Sequence, residues 1–162
     1  MIYAAVMGYG TIGSGVVEVL DRNRDVISAR TGEEIQVKYI LDLREFPGDP
    51  NEDKLIHDFS VIEKDEEIGI VVEAMGGVRP AYDFAKACLL AGKHVVTSNK
   101  ALVAAHGTEL LSIARQKNLN FLFEASAGGG IPIIRPLNSS LTADVILEIS
   151  GILNGTTNYM LT

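Results

Sequence analysis

Three glycines near the start of the chain, Gly8, Gly10 and Gly13, constrain it more than any other feature. They follow a short apolar run, Ile2 to Met7, and precede a segment whose apolar residues Ile12, Val16, Val19, Leu20 and Ile27 recur at helical spacing. The run reads as a buried strand ended by glycines, and the segment as one helix beginning at Thr11. Each glycine of G-x-G-x-x-G then has a task. The first permits a tight turn, the second lets backbone approach a pyrophosphate, and the third lets the helix pack closely on the strand. Amides at the helix start face the phosphates, and the helix dipole favours their charge. The competing reading is a glycine turn that holds no ligand.

The rest of the chain supplies the context that the motif requires. Ile35 to Leu43 and Ile68 to Ala74 read as strands with little alternation, as expected where both faces of a parallel sheet are covered. Between Pro80 and Leu90, Ala81, Phe84, Ala85, Cys88 and Leu89 form a helical stripe that starts at a proline and is capped by Gly92. His94 to Thr97 predicts a strand, Leu110, Leu111 and Ala114 a helix, and Leu119 to Phe123 another strand. Phe46 to Lys54 (FPGDPNEDK) reads as a surface loop. The order of elements predicts an α/β fold, a doubly wound parallel sheet of the Rossmann type. After a glycine-rich break at Gly128 to Gly130, the pattern predicts a short helix beyond Pro132 and a strand from Val145 to Leu153. Residues 1–140 are expected to be a dinucleotide-binding domain, and 141–162 the truncated beginning of a substrate or dimerisation domain. With no closing element before Thr162, a fragment of a longer protein is expected.

An acid at the end of the second strand binds adenine ribose hydroxyls in such folds, and Asp42 stands there. This favours NAD. Arg44, two residues on, offers itself instead to the extra phosphate of NADP, and the remaining reading makes both ordinary polar residues at a strand exit.

Four further segments are more specific: VEAMGG from Val72, VVTSNK from Val95, EASAGGGIP from Glu124 and GILNGTTNY from Gly151. Together with GYGTIGSGV from Gly8, they resemble homoserine dehydrogenase, in the same order and over nearly the whole chain. The resemblance implies NAD(P)-linked interconversion of L-aspartate 4-semialdehyde and L-homoserine, a step of threonine and methionine synthesis. It places Gly10, Thr11, Ile12, Met75, Gly76 and Lys100 against the cofactor, with Lys100 assisting near the nicotinamide and substrate. It also places Glu124, Ala127, Gly129 and Ile131 around a structural sodium or other alkali ion, mostly through carbonyls. The proton-donating lysine and the acids that bind the amino acid belong, in the family, to a following domain, so the fragment alone is expected to be inactive. Many NADP-using members carry an arginine where this chain has Leu41, a departure that weakens the case for NADP.

The residue chemistry agrees. A hard cation takes oxygen ligands, which a glycine-rich turn can converge, with Glu124 supplying charge; the alternative has Glu124 capping a neighbouring helix. Lys100 stands at a strand's carboxyl end, where ligands of open α/β sheets bind, against the alternative of a surface lysine. Cys88 lies on an apolar helical stripe and reads as core rather than as a thiol nucleophile. His57, His94 and His106 show no ligand spacing and receive no role.

Composition excludes some other classes. A net charge of −7 disfavours nucleic acid as a partner. No apolar run nears the roughly 20 residues that span a bilayer, no signal sequence opens the chain, and the lone cysteine suits a reducing, cytoplasmic compartment. A small-molecule substrate and a homo-oligomeric full-length enzyme are the expected partners. Two other functions compete: another NAD(P)-dependent amino-acid or hydroxy-acid dehydrogenase, and a non-catalytic NAD-sensing module. Lys100 and the EASAGGGIP turn count against the sensor, which needs no group beside the nicotinamide.

Overall fold

A computed structural model describes residues 1–151. Six strands, β1 (Ile2–Met7), β2 (Ile35–Leu41), β3 (Leu55–Ile56), β4 (Ile68–Glu73), β5 (His94–Thr97) and β6 (Phe121–Leu122), form one sheet in the order β3-β2-β1-β4-β5-β6. Every pairing is parallel. The helices are α1 (Thr11–Arg22), α2 (Arg24–Thr31), α3 (Phe59–Lys64), α4 (Ala81–Leu90), α5 (Lys100–Gln116), α6 (Glu124–Gly128) and α7 (Ile134–Ser140). This is the doubly wound arrangement. Strand order reverses between β1 and β4, so a crevice opens at their carboxyl ends.

The sheet buries both faces, which explains its unbroken apolar strands. Successive side chains of a strand point to opposite faces. Ala5 and Met7 of β1 therefore join Val71, Ala85, Cys88, Leu89, Leu102 and Leu110 beneath α4 and α5, whereas Val6 joins Val17, Val37 and Ile40 beneath α1. The helix ends are closed by local chemistry. Beyond α4, the Gly92 and Lys93 amides donate to Leu89 and Cys88 carbonyls, with Gly92 in the left-handed region as the sequence expects. Asn118, at φ 56°, closes α5 in the same way. At the other end of α5 the Asn99 side chain accepts from the Leu102 amide.

Several expectations need correction. The helix expected from Thr11 through Ile27 breaks at Asn23 into α1 and α2, and its inward face is Gly13 and Val17. Ile12 and Val19, assigned to the apolar stripe, are exposed. β2 stops at Leu41 and β4 at Glu73, each short of its expected end, because the backbone turns there into the crevice. The loop after β2 contains a 3₁₀ turn, Glu52–Lys54, and leads into β3, a two-residue edge strand too short to leave a periodic signal. Glu124–Gly128 is helical where only a glycine break was foreseen. The strand expected over Val145 to Leu153 is not formed at residues 145–151; its remainder lies outside the described residues. Val145 and Leu147 are largely exposed, and among the described residues no strand pairs with them.

Candidate cofactor site

The glycine loop is built on the ends of three strands. The Gly8 amide donates to the Leu41 carbonyl at 2.7 Å, and the Ala74 amide to the Met7 carbonyl at 2.8 Å. At φ +95°, Gly8 occupies a conformation that L side chains avoid, and a Cβ there would lie 2.8 Å from the Ala74 carbonyl oxygen. A Cβ on Gly13 would collide with the Gly8 carbonyl. Gly10 differs, for a Cβ there would meet no atom within 4 Å. Two of the glycines thus serve the protein's own packing, while the third keeps space open. No side chain caps α1 and its first turn has no acid, so its leading amides remain available to an anion.

Two cavities flank this ridge. The larger, about 510 Å³, is walled by Asp42, Arg44, His57, Pro80 and the stacked rings of Phe59 and Phe84. The smaller, about 410 Å³, lies among Thr11, Ile12, Gly77, Ser98, Asn99 and Lys100. Gly10, Ala74, Met75 and Gly76 line both, so one elongated ligand can cross from one to the other over the glycine loop. Gly76 and Gly77 take φ of +81° and +70°, each with open space at its Cβ position. Of the residues assigned to the cofactor from the sequence, Gly8, Gly10, Thr11, Ile12, Asp42, Met75, Gly76 and Lys100 line these two cavities, whereas Gly13 is buried beneath them against the Gly8 carbonyl. Exposure of Ile12, anomalous for a core stripe, is what a cavity wall requires.

Asp42 lies just beyond β2 and is almost fully engaged. Its carboxylate accepts from the Tyr9 amide at 2.7 Å, the Arg44 amide at 3.0 Å, and Arg44 Nε and Nη2 at 3.0 and 2.9 Å. The Arg44 guanidinium, aided by these amides, holds the Asp42 carboxyl well below the usual carboxylate range despite partial burial. Arg44, considered from the sequence as a phosphate ligand, is therefore paired with the acid. The imidazole Nδ1 of His57 lies 2.6 Å from the Asp42 carbonyl, and this hydrogen bond is the chief cause of a raised His57 pKa. Its Nε2 lies 3.0 Å from Glu45. His57, left without a role by the sequence, is thus a wall of the larger cavity.

Lys100 is the first residue of α5 and is exposed at the mouth of the smaller cavity. Beneath it lies a residue that sequence reasoning passed over. Glu73 is completely buried at the end of β4, with its carboxylate accepting from the Met75 amide at 2.9 Å and from Thr97 Oγ1 at 2.5 Å. The available signal was an acid closing the apolar strand IGIVVE. Tyr9 was also missed: its hydroxyl donates to Asp49 at 3.1 Å and its ring meets Phe46 edge-on, fastening the long loop after β2 to the glycine loop.

The proposed ion ligands are arranged less favourably. Glu124 spends both carboxylate oxygens on the amides that begin α7, those of Ile133, Ile134 and Arg135. These bonds hold its carboxyl below the ordinary range, with the Ile133 amide the largest contributor. Glu124 is a helix cap here. Ala127 lies in α6, Gly129 follows it with φ +61°, and the Ile131 amide donates to the Gly128 carbonyl at 3.0 Å. Among the described residues, no three His, Cys, Asp or Glu side chains gather as a metal site, and no helix is long and apolar enough to cross a membrane.

Comparison with known proteins agrees with this geometry. Residues 8–124 match the family model for the NAD-binding domain of homoserine dehydrogenase, and residues 132–162 match a second homoserine dehydrogenase model. The chain is 38% identical to the homoserine dehydrogenase of Lactococcus lactis over 98% of its length, covering 38% of that protein. It is 44% identical to the Helicobacter pylori enzyme over 96% of its length, covering 37% of that protein. The crystal structure of a homoserine dehydrogenase from Thiobacillus denitrificans superposes with a TM-score of 0.80 at 39% identity, covering 88% of this chain and 33% of that one. The Staphylococcus aureus homoserine dehydrogenase gives 0.73 at 35% identity, covering 80% of this chain and 33% of that one. The chain thus spans little more than a third of the length of these relatives.

Proposed function

The chain belongs to the homoserine dehydrogenase family, and from that premise we propose that it is the cofactor-binding part of an oxidoreductase interconverting L-homoserine and L-aspartate 4-semialdehyde, a step of threonine and methionine synthesis. The observation that carries the reading is the open Cβ position of Gly10 beside the uncapped start of α1, midway between a cavity holding Asp42 and one holding Lys100. With the glycine loop holding a pyrophosphate, Asp42 would meet the adenosine side and Lys100 the nicotinamide side. The donor set fits such a cofactor, combining backbone amides for phosphate, a carboxylate for ribose hydroxyls and stacked aromatic rings in the wall of the adenosine cavity.

When bound, NAD(P) supplies the hydride acceptor or donor. The chain's own residues orient it: Gly10 and Thr11 present backbone to the phosphates, Met75 and Gly76 form the wall shared by the two cavities, and Lys100 stands near the reacting end. Lys100 assists by orienting substrate or carboxamide. The main proton donor is assigned to the remaining length of the enzyme, because hydride transfer from an alcohol needs an acid or base within about 3 Å of the oxygen.

NAD is the preferred cofactor in this reading. Asp42 is charged, faces the cavity where a 2′-phosphate would sit, and already neutralises Arg44. Residues 1–140 are read as the dinucleotide-binding domain and 141–162 as the beginning of the substrate or dimerisation domain; the matching family model changes earlier, between residues 124 and 132. The working enzyme is read as a cytoplasmic homo-oligomer acting on a small molecule and not on nucleic acid; the charge of −7 supports the last point. As arranged, Glu124 does not fit an alkali ion, which would have to displace the α7 amides before Glu124, Ala127, Gly129 and Ile131 became its ligands.

The test combines binding with turnover. Fluorescence titration of the 162-residue chain should show saturable NADH binding, while homoserine should yield no NADH with this chain alone. The complete enzyme should oxidise homoserine and slow on Lys100→Ala. Absence of NADH binding would overturn the assignment, and turnover by the chain alone would show the proton donor to be misplaced.

A further inference from the structure

Resting on the reading that the smaller cavity receives the nicotinamide end, we propose that Glu73 is the positioning residue for that end, its buried carboxylate joining the two loops that wall the cavity. One loop, Ala74 to Gly77, follows β4; the other, Ser98 and Asn99, precedes α5. Glu73 Oε1 accepts from the Met75 amide at 2.9 Å, and Oε2 from Thr97 Oγ1 at 2.5 Å. Thr97 Oγ1 in turn accepts from the Asn99 amide at 2.9 Å. The Asn99 side chain donates to the Gly77 carbonyl at 2.5 Å and lies 3.5 Å from Glu73 Oε1, closing the circuit between the loops. With its oxygen it accepts from the Leu102 amide, which carries the connection into the first turn of α5, where Lys100 stands.

Met75 and Val78 pack on the core at either end of this loop, but between them Gly76 and Gly77 have positive φ and no atom within 4 Å of their Cβ positions. The Met75 amide's bond to Glu73 and the Asn99 side chain's bond to the Gly77 carbonyl brace them on either side. A fully buried carboxylate is a costly way to end an apolar strand unless its oxygens are bonded, and here both are. An apolar residue would fill the volume yet leave the Met75 amide and the Thr97 hydroxyl without their acceptor. Both loops wall the smaller cavity, whereas on the larger side only the Met75 and Gly76 edge would move and Asp42, bonded to Tyr9 and Arg44, would stay in place.

The experiment compares Glu73→Leu, Glu73→Gln and Thr97→Val in the whole chain, with NADH and ADP as separate probes. ADP reports the adenosine side and the diphosphate ridge, without the nicotinamide end. Glu73→Leu should weaken NADH at least about tenfold with ADP affinity within about twofold, and the amide-bearing Glu73→Gln should recover NADH to within about threefold. Hydrogen exchange without ligand should show the Met75 amide released in Glu73→Leu and protected in Glu73→Gln. NADH affinity unchanged in a folded Glu73→Leu variant, or NADH and ADP lost in equal measure, would overturn the proposal. Should Glu73→Leu fail to fold, Thr97→Val decides: weaker NADH with normal ADP supports it, and unchanged NADH rejects it. If the unsubstituted chain binds no NADH, the cofactor reading itself fails and this proposal falls with it.

Discussion

The carboxylate of Asp42 accepts a 2.7 Å hydrogen bond from the amide of Tyr9, so the acid closing β2 is fastened directly to the residue between the first two glycines of the loop. The same carboxylate grips Arg44 through two guanidinium nitrogens. The residues proposed to meet the ribose, the glycine loop proposed to meet the phosphates, and Arg44 are therefore joined through one side chain.

Substituting Asp42 should change cofactor choice. Asp42→Ala removes the ribose acceptor and frees Arg44, so NADH affinity should fall while NADPH gains relative to it, by about tenfold in the ratio. Parallel fluorescence titrations check this, and tighter NADPH binding by the unsubstituted chain would contradict the assignment. The acid should also leave a pH signature. Its folded pKa lies below the ordinary 3.8, so its stabilising contribution is complete above that value and is lost as pH falls toward the lower folded value. The stability difference between the unsubstituted chain and Asp42→Asn should therefore be constant above pH of about 4 and shrink progressively as pH falls below it.

The glycines should separate folding from binding. Gly10→Val places its side chain in open space, so thermal stability should hold while NADH affinity falls at least about tenfold. Gly13→Ala forces a Cβ against the Gly8 carbonyl and should destabilise the fold by about 1–3 kcal/mol. Thermal melts and NADH titrations of the two variants form a complete comparison, and undiminished NADH binding by folded Gly10→Val would remove the pyrophosphate from this loop.

Glu124 should act as a cap rather than an ion ligand. Glu124→Ala leaves the first amides of α7 unpartnered, so helical circular dichroism and the melting temperature should both fall. The unsubstituted chain should melt alike in sodium chloride and in choline chloride of equal ionic strength. A specific gain in sodium, abolished by Glu124→Ala, would establish the ion at Glu124, Ala127, Gly129 and Ile131. Since its carboxyl is depressed, capping should be lost only as pH falls below the ordinary range of a glutamate.

Cys88 should be chemically silent. Burial pushes its thiol up to about 12, leaving almost no thiolate at neutral pH, and the side chain has no exposed surface. An aromatic disulfide reagent at pH of about 8 should modify the folded chain no faster than the chain unfolds, and denaturant should release a full equivalent. Rapid labelling of the native chain would contradict the packing described here.

Local pattern was enough for the glycine loop, the long strands and α4, because glycine spacing, apolar runs and caps act within a few residues of themselves. The two-residue strands β3 and β6 were invisible or overextended in the sequence, since neither has a period of its own and each exists only by pairing with a longer neighbour. The break at Asn23 and the exposed side of α1 likewise depend on where the sheet lies beneath the helix. Charge told even less locally. Nothing in the spacing of Glu73, Thr97 and Asn99 joins them, yet three strand and helix ends converge and make them partners. Nor does the sequence near Glu124 say whether its oxygens will meet a cation or the amides of α7, because that depends on the path of the intervening turn. Residue chemistry thus decided which groups were available, and the fold decided which of them meet, because hydrogen bonds and ion pairs act only at contact distance.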